Sequence, residues 1–182
     1  MYYETKEFTL KDGRTAVLCN PTEEHAQGLL DYLKQISEET EFVLRYPEEV
    51  NYTLEGEKRL IESMKESPYD AFLTVTVDGK VAGNCHLMLQ SGLKTRHRGS
   101  VAIALTKEYW GLGIGTVLFG ELIRIAQENP EVNQLELEVI EGNDRAIALY
   151  KKMGFTEYGV RPNAIVLKDG RVLSEIMMLR PV

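Results

Sequence analysis

Gly111, Gly113 and Gly115 alternate along Trp110-Gly111-Leu112-Gly113-Ile114-Gly115-Thr116. The apolar run Val101-Ala102-Ile103-Ala104-Leu105 precedes them, and the amphipathic segment Val117–Ala126 follows. That order reads as strand, glycine loop, helix. Glycine lets a backbone approach a ligand closely and adopt conformations that a side chain forbids. The N–H groups opening the next helix point into the loop, and the helix dipole favours negative charge there. The chemistry this suits is the binding of a diphosphate. The loop lacks the Lys-Ser/Thr ending of a P-loop, and Thr116 breaks the dinucleotide spacing. The alternative reading is a turn that only permits tight strand–helix packing.

A second segment, Asn143-Asp144-Arg145-Ala146-Ile147-Ala148-Leu149-Tyr150-Lys151-Lys152-Met153-Gly154-Phe155, follows the strand-like Leu135-Glu136-Leu137-Glu138-Val139. With the glycine loop upstream, the chain resembles the GNAT superfamily of acetyl-coenzyme A dependent N-acetyltransferases, over roughly residues 71 to 180. Gly113 and Gly115 fall on the glycines of that superfamily's Arg/Gln-x-x-Gly-x-Gly/Ala loop. The Asn-x-x-Ala-x-x-Leu-Tyr-x-x-x-Gly-Phe helix is present without a gap. Trp110 departs from the pattern, since Arg or Gln usually stands there. One side-chain donor to phosphate is thereby lost, while the backbone donors remain.

The resemblance implies acetyl transfer from acetyl-CoA to a primary amine by direct attack on the thioester. The amine must be neutral, the oxyanion stabilised and the leaving thiolate protonated. It places the cofactor's pantetheine arm along the backbone of Ile103, Ala104 and Leu105, and its diphosphate in the loop from Trp110 through Gly111, Leu112, Gly113, Ile114, Gly115 and Thr116. Tyr150 falls where the family has a tyrosine near the cofactor sulfur, so it is the candidate acid. Packing alone would equally place an aromatic there, at helical spacing from Ala146 and Met153. Asn143 suits both a helix cap and a contact to the pantetheine arm. Glu136 and Glu138 share one strand face. Glu138 matches a glutamate that acts as base in protein N-terminal acetyltransferases of the superfamily; it also reads as a solvated strand residue. Glu39, Glu41 and His86 are further candidates for the base. His86 on an apolar strand also reads as a satisfied core histidine.

These residues need a scaffold, and the pattern supplies one. Phe8–Leu10 and Ala16–Leu18 flank a turn at Lys11–Arg14. Thr22 caps a helix carrying Leu29, Leu30, Leu33 and Ile36 at helical spacing. Residues 38–54 are irregular and acidic, and a second helix covers about 55–66. Strands at 71–77 and 81–89 flank Asp78-Gly79, a strong hairpin signal. Strand 99–106, the glycine loop and its helix, strand 134–140, helix 143–152 and two closing strands around Lys168–Arg171 complete the order. The expectation is an α/β chain with the GNAT acyl-CoA N-acyltransferase fold. Its mixed, mostly antiparallel sheet has six to seven strands, with helices on both faces.

At 182 residues the expectation is a single domain over 1–182. A net charge of −7 argues against nucleic acid. No apolar stretch reaches membrane length, and Met1–Lys6 has no apolar signal region, which makes the cytoplasm the expected location. Cys19 and Cys85 form no disulfide framework, and the three histidines have no metal-ligand spacing. The basic run Lys94–Arg98 reads as a solvated hairpin tip or as an attractor of phosphates. The resemblance puts the acceptor between residues 22–66 and 156–175, which are rich in acidic and aromatic side chains. An amine on a small molecule or a protein N-terminus fits there. Many relatives dimerise. The competing functional readings are a catalytically silent acyl-CoA-binding module for sensing or assembly, and a different nucleotide-binding α/β protein.

Overall fold

The computed structural model describes residues 1–182. Its strands are β1 (Lys6–Thr9), β2 (Thr15–Cys19), β3 (Asp70–Val77), β4 (Lys80–Leu89), β5 (Arg98–Leu105), β6 (Gln134–Ile140), β7 (Thr156–Val166) and β8 (Val172–Pro181). Its helices are α1 (Ala26–Glu39), α2 (Leu54–Glu66), α3 (Ile114–Glu128) and α4 (Asp144–Lys152). All eight strands join one sheet in the order β1-β2-β3-β4-β5-β6-β8-β7. That is one or two strands more than the six to seven expected; β1 and β2 of the short N-terminal hairpin both join the sheet, at its edge.

Every neighbouring pair is antiparallel except β5 with β6. The β3–β4 turn is Asp78-Gly79, with φ of 51° and 77°. Two left-handed residues in succession match the right-handed twist of the flanking strands. Alternation along β3 then sorts side chains by face. Leu73 and Val75 are fully buried in the core that also holds Leu118, Phe119 and Leu122 of α3. Phe72 packs on the opposite face, where Leu29, Tyr32 and Ile36 of α1 meet Ile61 of α2. Both faces are thus covered, as expected.

Element ends differ from the pattern in ways that local chemistry explains. α1 starts at Ala26 because Glu23–His25 forms a tighter 3₁₀ turn after Thr22. Pro47–Glu49 makes another such turn inside the irregular acidic stretch. α3 starts at Ile114, three residues before the amphipathic segment, because the glycine loop itself supplies the first helical turn. No helix is long and apolar enough to cross a membrane.

Candidate active site

β5 and β6 pair only over Arg98–Ser100 and Gln134–Glu136. Beyond Ser100 the β5 edge that faces β6 has no strand partner. A cavity of about 460 Å³ opens there. Ile103, Ala104 and Leu105 line one wall, the glycine loop lines another, and the start of α4 lines a third. An unpaired strand edge offers N–H and C=O groups to an extended amide chain. The Leu105 carbonyl is the exception, since Trp110 Nε1 donates to it at 2.8 Å.

The glycine loop takes backbone shapes that favour glycine. Gly111 has φ of 78° and Gly113 has φ of 95°, and Gly113 is the residue that caps α3. Gly115 serves packing as well, because a Cβ there would stand 2.9 Å from Leu149 Cδ2. The loop therefore brings α3 against α4 and leaves its backbone bare toward the cavity. Trp110, Gly111, Gly113, Gly115 and Thr116 line that cavity, whereas Leu112 and Ile114 do not. Leu112 packs against the core, and Ile114 is fully buried in it. The Leu112 carbonyl is also engaged, accepting from Lys11 N at 3.2 Å. Trp110 also carries the Arg145 guanidinium 4.8 Å above its ring.

Tyr150 lies on α4 with its ring 7% exposed, packed 5.1 Å from Phe119 and 6.3 Å from Phe155 between ring centroids. It lines the cavity. Burial alone acts on its hydroxyl, which has no hydrogen-bond partner in the chain, and pushes its pKa up to about 12. A phenol so held stays protonated at neutral pH. Burial pushes Tyr3 and Tyr32 in the same direction. Unfolded tyrosines ionise near pH 10, so above that the unfolded chain sheds protons that the folded chain keeps. Stability should be intact below about pH 10 and decline as pH rises through about 12. Melting temperatures across that range check this, and Tyr150→Phe should flatten the decline.

Asn143 also lines the cavity, and its side-chain oxygen accepts from Ala146 N at 3.3 Å, capping α4. Asn143→Ala should cost about 1 kcal/mol of stability in denaturant unfolding. Asn143→Ser keeps a capping oxygen and should restore most of that loss. Coenzyme A affinity that stays low in the serine variant would assign Asn143 a ligand contact besides the cap.

The candidate bases are all engaged. Glu138 does not line the cavity; Arg161 donates to it at 2.7 Å and to the buried Glu175 at 2.6 Å. Glu39 accepts from Lys107 N at 2.6 Å, and Glu41 takes both arms of Arg171 at 2.6 and 3.1 Å. His86 is 2.7 Å from Asp70 and stands edge-on to Phe72 at 5.6 Å, the environment of a satisfied histidine. The run Lys94–Arg98 lies away from the cavity, where Arg96 pairs with Glu131 and Arg98 with Glu136.

Sequence reasoning missed two kinds of contact. The loop after α1 is clasped to the β7–β8 hairpin: Lys168 N donates to Tyr46 Oη at 2.8 Å, Lys168 pairs with Glu48, and Arg171 pairs with Glu41. Lys11, from the N-terminal hairpin, lines the cavity beside Gly113. Neither has a local sequence signal, because both join segments that are distant along the chain.

An open strand edge, a glycine loop that starts a helix, and a buried phenol all meet in one cavity. The Acetyltransferase (GNAT) family model matches residues 30–155, and the chain belongs to that family. It is 34% identical over 109 residues to an N-alpha-acetyltransferase of Sulfurisphaera tokodaii, covering 55% of this chain and 64% of that protein. It is 40% identical over 77 residues to the ribosomal protein bS18-alanine N-acetyltransferase of Escherichia coli, covering 42% of this chain and 51% of that protein. The matched region thus spans less than two thirds of the length of these curated relatives. A solved acetyltransferase of the GNAT family from Streptococcus pneumoniae superposes with a TM-score of 0.85 at 25% identity, covering 92% of this chain and 99% of that one.

Proposed function

We propose that this chain is an N-acetyltransferase that moves an acetyl group from acetyl-CoA to a primary amine, acting as a single domain over residues 1–182. The observation that carries the reading is the cavity at the β5–β6 divergence, where a free strand edge, the glycine loop and the Tyr150 hydroxyl converge. These groups fit the cosubstrate part by part. The edge at Ile103–Leu105 suits the amides of the pantetheine arm, and the bare backbone at Gly111–Gly115 suits the diphosphate. Acetyl-CoA supplies an activated thioester.

The chain's own groups do the rest. Tyr150 holds a proton at its hydroxyl for the departing thiolate, and its apolar surroundings keep that proton in place. Trp110 fixes the end of β5 through the Leu105 carbonyl. Glu138 is exposed on β6, and Arg161 donates to its carboxylate at 2.7 Å. It is the base in this reading, taking the amine proton through water, since its carboxylate stands outside the cavity lining.

A second cavity of about 450 Å³ supports the acceptor assignment. It shares Thr40 and Val43 with the first and runs between the loop after α1 and the end of β7 with the adjoining Leu167. Arg45, Glu38 and apolar Ile165 and Leu167 line it, a mixed surface that suits an amine on a peptide N-terminus or a small molecule. Exposed Tyr158 and Val160 on the edge strand β7 support pairing of two copies, and the cosubstrate supports a cytoplasmic location. The free hydroxyl of Tyr150 favours catalysis over silent binding. The test is release of coenzyme A thiol from acetyl-CoA with a panel of peptide N-termini and small amines. Acceptor-dependent release is the expected result; binding without release on any acceptor would favour the silent module.

A further inference from the structure

Coenzyme A carries a diphosphate and a further phosphate, and the loop that should receive them contributes no cationic side chain of its own. Trp110 spends its one donor on the Leu105 carbonyl. The chain as a whole is anionic, at −7. Most of its basic side chains that lie near carboxylates are paired with them. Two cations at this cavity are not: Lys11 and Arg145 both line it, and neither makes an ion pair.

Lys11 comes from the β1–β2 turn, and that turn is docked on the glycine loop. Lys11 N donates to the Leu112 carbonyl at 3.2 Å. Arg14 reaches Glu108 at 3.7 Å and lies 5.2 Å over the Tyr109 ring. At the other end of the hairpin, Lys6 holds the buried Glu121 of α3 at 2.5 Å. The hairpin is therefore fixed to the helix that follows the glycine loop and to the segment that precedes it. The Lys11 stem passes Gly113, with its Cε 3.9 Å from where a Cβ on that residue would be. A docked turn thus carries an unpaired lysine beside Gly113, on the cavity that Arg145 on its Trp110 platform also lines.

We infer that the N-terminal hairpin is part of the cosubstrate site, and that Lys11 binds a phosphate group of coenzyme A across the glycine loop from Arg145. The inference rests on the acetyl-CoA reading above. Lys11 and Arg145 make up for the donor that Trp110 does not offer. Because Lys11 is solvent-exposed, its contribution is a screened charge contact and should weaken with salt.

The test is calorimetric titration of coenzyme A into the unaltered protein and the Lys11→Met and Lys11→Arg variants, at low and moderate salt. Methionine keeps the stem beside Gly113 and removes the charge; arginine keeps the charge. We expect Lys11→Met to weaken binding about fivefold at low salt, less at moderate salt, and Lys11→Arg to stay within about twofold. Melting temperatures without ligand should match in all three, which separates a lost contact from a lost fold. Dephospho-coenzyme A locates the contact: a similar loss with it assigns Lys11 to the diphosphate, and no loss assigns it to the third phosphate. If the unaltered protein binds coenzyme A and Lys11→Met binds equally well, the hairpin has no part in the site and the inference falls alone. If the unaltered protein binds no coenzyme A, the cosubstrate reading falls with it.

Discussion

Tyr150→Phe should lower turnover by about a hundredfold or more while leaving coenzyme A affinity within about twofold. The ring stays, so its packing against Phe119 and Phe155 stays. The hydroxyl has no hydrogen-bond partner in the chain, so its removal leaves no protein group unsatisfied. Stability should therefore hold at neutral pH. What disappears is a proton donor whose burial keeps it neutral and protonated well above working pH. Steady-state rates measured at saturating acetyl-CoA separate the effect from binding. Turnover within about threefold of the unaltered protein would remove Tyr150 from the chemistry and leave it a packing residue.

Gly83→Ala should be the most damaging small substitution near the site. Gly83 sits opposite Leu105, where β5 reaches the divergence. A Cβ there would lie 2.4 Å from both the Ala104 carbonyl oxygen and Leu105 Cδ2. The carbonyl cannot swing aside, because it belongs to the strand that forms the cavity wall and accepts from Tyr32 Oη at 3.0 Å. Relief requires β4 and β5 to separate. The expected cost is about 3 kcal/mol, or roughly 6–12 °C in Tm for a chain of this size. Because the same shift moves Ile103–Leu105, coenzyme A affinity should fall as well. An alanine variant with unchanged Tm and affinity would mean that the two strands are not held as closely as described.

The element order is largely legible in the sequence because its signals are local. Asp78-Gly79 announces a hairpin through backbone preference alone, and the leucines of α1 announce a helix face through spacing. The glycine loop is legible as a strand-to-helix turn, but the apolar pattern starts its helix three residues late. Apolar periodicity begins only at Val117, whereas the first turn is set by the left-handed Gly113. The ion pair of Glu138 has no sequence signal for a different reason. Its partner Arg161 is 23 residues away on β7 and reaches it only across the sheet. Lys11 was hidden by the same physics at greater range, since a docking contact between a turn and a loop leaves no pattern in either segment. Trp110 was read as a missing donor. The structure turns that donor inward to finish β5 and gives the ring a cation to carry.

The central claim is that the β5–β6 cavity takes acetyl-CoA. Calorimetric titration of the unaltered protein with acetyl-CoA, coenzyme A and ATP tests it most directly. The account predicts that acetyl-CoA and coenzyme A both bind at one site per chain and that ATP, lacking the pantetheine arm, binds far more weakly. Binding of ATP alone, or of none of the three by protein shown to be folded, would contradict it.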